Sequence, residues 1–305
     1  MSRRAKGLIA FGLLLALMIA LFAVTGSHGM NTEYQPQNEF KLEDWVPIHL
    51  GALNLSINKA VFYLLLAAGM TAGTMIYIAR RMHQRPNRVQ TAVEVLWSVM
   101  RDNIAGPNNI DREMALKWFP FIGTLFLFIL YSNILGYLPL PVNTGETFDL
   151  FGAHIPAFQI YAATANISVT LVLSLMVWMS YHVEGVRAKG PIGYLHSWLP
   201  AGMDNVPARA FMVPFVFAIE VISQFVRIIS LSVRLFANML AGHLLILFMG
   251  GGLVVLVGVA ALGPLTLIVA ILFFMFEVIL IAGLQAFIFA TLTAIYLGGA
   301  VAESH

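Results

Sequence analysis

The chain of 305 residues is 59% hydrophobic and 10% charged, with a mean hydropathy of +0.83. A soluble domain carries about 25% charged residues, so the composition points instead to a polytopic helical membrane protein. The formal charge of +2 constrains little, while the absence of cysteine excludes disulfides, thiolate metal sites and thiol catalysis.

Arg3, Arg4 and Lys6 precede an apolar run from Leu8 to Val24, then Thr25, Gly26 and Ser27. This pattern over residues 1–26 fits either a cleaved signal peptide or a retained N-terminal membrane anchor. Both place residues 27–57 outside, where Glu33, Glu39, Glu43 and Asp44 outnumber Lys41. A membrane domain is expected over 58–298 and a cytoplasmic tail over 299–305.

The first span is expected from Ala60 to Ala79. It ends in Arg80, Arg81, His83, Arg85 and Arg88, which puts the next loop in the cytoplasm. Residues 89–104 read as an amphipathic helix lying in the interface, with Val89, Val93, Leu96, Trp97, Met100 and Ile104 on one face. A second span covers Trp118 to Leu138, with Trp118 and Tyr137 as interfacial aromatics. The loop Pro139–Ala157 lacks Lys and Arg and belongs outside. A third span covers Phe158 to Tyr181 and exits into Arg187 and Lys189. Pro191, Pro200 and Pro207 break residues 190–209 into short pieces.

Two over-long apolar stretches follow, 211–249 and 253–297, joined by Gly250, Gly251 and Gly252. As one helix the first would be about 58 Å long, nearly twice the thickness of the hydrocarbon core. Each is either two short spans or one steeply tilted helix. No charged loop divides the first, which favours a tilted helix, and Pro264 is placed to kink the second. The expected fold is therefore all-α. It comprises about five transmembrane helices plus the N-terminal segment, closing on a long slanted C-terminal helical hairpin.

Within the first long stretch Glu220, Arg227 and Arg234 recur at seven-residue spacing, close to two helical turns, so they share a stripe with Gln224 and Asn238 nearby. Charges in a bilayer cost several kcal/mol or more, on the order of 3 at least, and face a cavity or partner. Arg234 is a fixed cation that suits a barrier or the counter-ion of a mobile carboxylate; the alternative is an ion pair with Glu220 or Glu277. His243 and Glu277 are titratable, and Gly242 beside His243 leaves room for water. Alternatives are a packing histidine and a partner to Arg227 or Arg234. His182 and Glu184 read as a solvated helix end rather than a metal site, and His49, His154 and His196 as ordinary loop residues. No phosphate-binding loop, zinc helix, nucleophile elbow or nucleic-acid module occurs.

The run Ser230-Leu-Ser-Val-Arg234-Leu-Phe-Ala-Asn238-Met-Leu-Ala-Gly242-His243 resembles the signature of subunit a of the F-type rotary ATP synthase. Leu284-Gln285-Ala286-Phe287-Ile288-Phe289 and Leu292-Thr293-Ala294-Ile295-Tyr296-Leu297 extend the resemblance. So do Asn133, Gly136 and Pro139, and Gln90-Thr91-Ala92-Val93-Glu94, over residues 40–298. The resemblance implies a non-catalytic subunit with two aqueous half-channels that carry protons to and from a rotating c-subunit ring. Arg234 would separate them, with Gln285 beside it and Glu220, Asn238, His243 and Glu277 along the paths. It also implies peripheral-stalk b subunits as partners, a bacterial plasma membrane and no cofactor. The ion would be H⁺, with Na⁺ as the alternative. Two departures stand out. Glu277 lies eight residues before Gln285, where the family's acidic or histidine position lies seven before. Asn166 occupies a site that is acidic in many relatives. An independent ion-coupled transporter and a non-conducting scaffold are the competing classes; the first would call for internal repeats, which are not evident, and the second has no use for Arg234.

Overall fold

A computed structural model describes residues 3–25, 40–42, 44–50, 53–54, 56–81, 88, 90–91, 94–95, 98, 112–150, 153–199, 209–252 and 263–301. Eight named helices carry the described chain: α1 (Arg3–Thr25), α2 (Lys59–Arg81), α3 (Arg112–Gly136), α4 (Ile167–Lys189), α5 (Pro191–His196), α6 (Arg209–Leu247), α7 (Gly263–Phe276) and α8 (Ala282–Val301). Five segments among the described residues are long and apolar enough to cross a membrane: Lys59–Arg80, Lys117–Gly136, Ile167–Lys189, Met212–Gly250 and Gly263–Val301. The architecture is that of an all-α polytopic membrane protein with a long C-terminal helical hairpin.

Local chemistry sets the helix ends. Asn58 accepts a hydrogen bond from the Val61 amide at 3.1 Å, capping α2. Gly190 ends α4 at φ 75°, a left-handed conformation that glycine adopts without strain, and its amide bonds Val186 O at 2.8 Å. Pro191 then occupies the first turn of α5, where its missing N–H has no rung to break.

The third span differs from expectation. Phe158 and Gln159 belong to a strand, a 3₁₀ turn covers Ala163–Ala165, and α4 starts only at Ile167. The cause is Asn166, whose side chain accepts from the Ser168 amide at 2.9 Å and so fixes the helix start. The helix then runs past Tyr181 to Lys189, taking in His182 and Glu184. The loop before α4 likewise contains an antiparallel hairpin, β3 (Leu140–Leu150) with β4 (Ala153–Gln159), paired from Leu140↔Gln159 to Leu150↔Ala153 with register shifts between Pro141 and Thr147. A smaller hairpin pairs β1 (His49–Leu50) with β2 (Leu53–Asn54).

Stretch 211–249 is one unbroken helix, α6, followed by a π turn over Phe248–Gly252. Pro214 lies near its start and leaves the remainder intact. Pro264 falls in the first turn of α7 and kinks nothing; the irregularity of the last helix is a π turn over Glu277–Ile281. Most of the helix expected over 89–104 lies outside the described residues; Gln90, Thr91, Glu94, Val95 and Ser98 are helical, and Gln90 donates to Glu94 at 2.8 Å.

The chain forms two compact units. One comprises Met1–Phe62, Ile134–Ala162 and Asn238–Ala282; the other comprises Tyr63–Asn133, Ala163–Ala237 and Gly283–His305. In the second, polar side chains tie the helices together. Thr74 and Tyr131 hydroxyls meet at 2.8 Å, Thr164 donates to Asn133 at 2.7 Å, and Thr170 and Ser232 hydroxyls meet at 3.3 Å. Such bonds stabilise helix packing where lipid supplies no hydrophobic drive between helices.

Candidate functional site

Among the described residues, each unit holds a cluster of titratable groups on the long C-terminal helices. In the first unit the chain turns at Gly136 and Tyr137, just past the end of α3. The Gly136 carbonyl accepts from the His243 ring, Nε2···O 2.8 Å, while Nδ1 lies 2.8 Å from Met239 O one turn earlier on α6. Both ring nitrogens thus face carbonyl acceptors. A neutral imidazole has one N–H for the two, an imidazolium has both, so proton gain or loss makes or releases one bond. Gly136 itself packs against Ala162 so closely that a Cβ would overlap that residue's backbone.

Tyr137, read from sequence as an interfacial aromatic, is 2% exposed. Its ring stacks on His243 at 4.6 Å between centroids, and its hydroxyl donates to Glu277 Oε2 at 3.0 Å. The Glu277 carboxyl occupies the space where a Cβ on Gly242 would stand. Gly242 therefore makes room for a carboxylate, correcting the expectation that it leaves room for water. Within this unit, among the described residues, the hydrogen-bond partner of Glu277 is Tyr137. Phe40 faces the other edge of His243 at 6.4 Å and Tyr161 at 6.5 Å. The Lys59 ammonium sits 5.1 Å over the Tyr161 ring and donates to Gln159 at 3.0 Å.

Glu277 opens the π turn, in which the Ala282 amide bonds the Glu277 carbonyl five residues back. The buried positions of the last helix step from Thr266 and Ala270 to Glu277, then five residues to Ala282, then on to Ala286 and Phe289. One extra residue is absorbed at that step without rotating the packed face off its stripe. That accounts for the spacing of eight between Glu277 and Gln285 where seven was expected.

In the second unit Glu220 Oε1 accepts from Gln224 at 2.7 Å and from Arg227 at 3.4 Å. Gln224 in turn accepts from the Tyr181 hydroxyl of α4 at 2.7 Å, and the Arg227 guanidinium lies 5.3 Å over the Tyr296 ring of α8. These groups line a cavity of about 390 Å³ with Tyr194, Ser197 and Trp198 on its wall. Burial raises the Tyr194 phenol above its ordinary value, so it stays a donor there.

Arg234, in the second unit, is not among the partners of Glu220. It is exposed on α6, with Ser230 and Asn238 one turn to either side, and donates a hydrogen bond to Ser230 at 3.4 Å. Among the described residues it has no carboxylate partner, since Glu220 pairs with Arg227. Asn238 is exposed on the same helix; Gln285 is 4% exposed on α8.

His182 and Glu184 are not a solvated end. Glu184 is 3% exposed and pairs with Lys117 of α3, and the ring of His182 lies among Trp178, Tyr181, Tyr194 and Trp198. Asn166 serves as the cap of α4. His154 is an exposed partner of Asp149, and the side chain of His49 lies outside the described residues.

Sequence reasoning missed Tyr137, Tyr181 and Tyr296. An aromatic at a helix end reads as an interface anchor, and only a facing carboxylate or guanidinium distinguishes it from one.

Residues 61–298 match the family model described as ATP synthase A chain. The chain is 38% identical over 257 residues to ATP synthase subunit a of Rubrobacter xylanophilus, covering 84% of this chain and 88% of that one. It is 33% identical over 277 residues to ATP synthase subunit a of Maricaulis maris, covering 88% and 98%. Against the subunit of the same name from Beijerinckia indica the figures are 30% over 277 residues, 90% and 98%.

Proposed function

Because the chain belongs to the ATP synthase A chain family, we propose that it is the stationary, non-catalytic ion-conducting subunit of an F-type membrane sector. In this reading it offers two aqueous half-channels to a rotating ring of c subunits, is held by peripheral-stalk b subunits, and sits in a bacterial plasma membrane.

The observation that carries the reading is Arg234. An exposed guanidinium in the middle of a long, predominantly apolar helix, without a carboxylate partner among the described residues, is costly in lipid and suits a moving carboxylate. It follows Glu220 by fourteen residues and precedes His243 by nine, about 21 Å and about 14 Å of helix rise. Each polar cluster then serves one half-channel. His243, Glu277 and Tyr137 belong to the outer path, and the Glu220–Gln224–Arg227 cavity to the inner one. A proton entering from outside reaches a ring carboxylate, rides a turn of the ring and leaves by the inner cavity.

Arg234 blocks direct passage twice over. Its permanent charge disfavours a proton at the midpoint, and it attracts the ring carboxylate once that group is ionised. Each unit charge crossing 100 mV releases about 2.3 kcal/mol, so several protons per turn supply the work of ATP synthesis. Gln285 and Asn238 are read as polar neighbours that keep this junction wet.

The test uses inverted vesicles containing the whole complex. Arg234→Ala should abolish ATP-driven pumping while the complex still assembles and co-isolates with its c-ring. Near-normal pumping by this variant would sink the mechanism.

A further inference from the structure

Resting on that reading of the outer path, we infer that Tyr137 is a positioning residue for proton transfer: its hydroxyl holds the Glu277 carboxyl in the recess over Gly242, and its ring holds the His243 imidazole. The geometry requires both halves of the side chain. The hydroxyl donates to Oε2 at 3.0 Å, which leaves Oε1 as the oxygen that takes up and releases the proton. The ring lies at 25° to the imidazole with centroids 4.6 Å apart, while the adjacent Gly136 carbonyl takes the far nitrogen at 2.8 Å. Two consecutive residues, Gly136 closing α3 and Tyr137 just past it, therefore fix both titratable groups, one from α6 and one from the π turn.

The orienting group is itself held. Tyr137 is 2% exposed, and Phe274 of α7 meets its ring edge-on at 5.9 Å. Burial, then the charge of Glu277, push the Tyr137 phenol far above its ordinary value, so it remains a donor and does not carry the proton. Facing Glu277 are Tyr137 after α3, Gly242 and then His243 of α6; behind His243 stand Phe40, Tyr161 and Lys59. No carboxylate among the described residues of this set replaces the hydroxyl.

Tyr137→Phe keeps the ring and its stack and removes only the donor, so the complex is expected to assemble. ATP-driven pumping is measured against pH in vesicles matched for complex content. Pumping should fall about tenfold, the factor of one hydrogen bond to a charged group, and its pH profile should move to the alkaline side. Added to Glu277→Gln, the substitution should cost nothing further, because both act on one contact. Wild-type pumping with an unmoved profile, or a loss that adds fully to that of Glu277→Gln, overturns the inference and leaves the function standing. Full pumping by Glu277→Gln alone would remove Glu277 from the path and this inference with it, whereas the wider reading is decided by Arg234→Ala.

Discussion

Arg234 cannot shed its charge at any accessible pH, so its worth lies in where it stands rather than in what it exchanges. Arg234→Ala is expected to open a passive proton leak through the membrane sector as well as to stop pumping, measurable as dissipation of an imposed pH gradient. Arg234→Lys keeps the charge but loses the planar fork, so coupling should still fall severely in the same assay. Gly242 poses the opposite problem, space without charge. A methyl there takes the volume of the Glu277 carboxyl, which can swing aside only by leaving Tyr137. Gly242→Ala should therefore assemble normally and pump several-fold more slowly, roughly the cost of one lost charge-assisted bond. His243→Leu and Glu277→Leu should each slow proton transport without dismantling the complex. Unchanged pumping in both and in the double variant would reduce them to packing.

At the level of the element, the last helix depends on its π turn. The packed stripe passes from Glu277 to Ala282 in five residues and resumes ordinary spacing beyond. Removing one exposed residue of that turn, Ile279, should convert it to regular α-helix while keeping Glu277 on the packed face. Pumping is expected to survive at a substantial fraction of wild type. Removing Ile268 from the regular part of α7 offers no such slack and rotates its N-terminal end by about 100°. Loss of pumping in both deletions alike would show that the turn does not absorb a residue. The start of α4 is equally local, since Asn166 fixes it with a cap bond from the Ser168 amide.

For the whole molecule the distribution of charge sets orientation in the membrane. Arg80 and Arg81 end α2 and Arg187 and Lys189 end α4, whereas β3 carries Glu146 and Asp149. Cysteines introduced singly at Arg187 and His154, both exposed, should react with an impermeant reagent from opposite sides of the membrane. Reaction from the same side would refute the proposed topology.

Membrane class, helical architecture and family were legible in the chain itself, because length and apolarity decide spanning and because Arg234 and His243 sit in one contiguous motif and Gln285 in a second. The unbroken α6 was legible for a related reason: no charged loop divides 211–249, and its one proline, Pro214, lies near the start. What faced what was not. Whether Glu277 answers Tyr137 or an arginine depends on residues 140 apart in sequence, brought together only where α3 ends at Gly136. Glu184 looked solvated beside Arg187 and Lys189, yet the Lys117 ammonium holds it in a buried position. The strand through Phe158 also escaped the sequence, since an apolar run carries no sign of its period until a partner strand and the Asn166 cap choose it. Periodicity and composition are properties of a segment; burial and pairing are properties of two, and only the tertiary structure supplies the second.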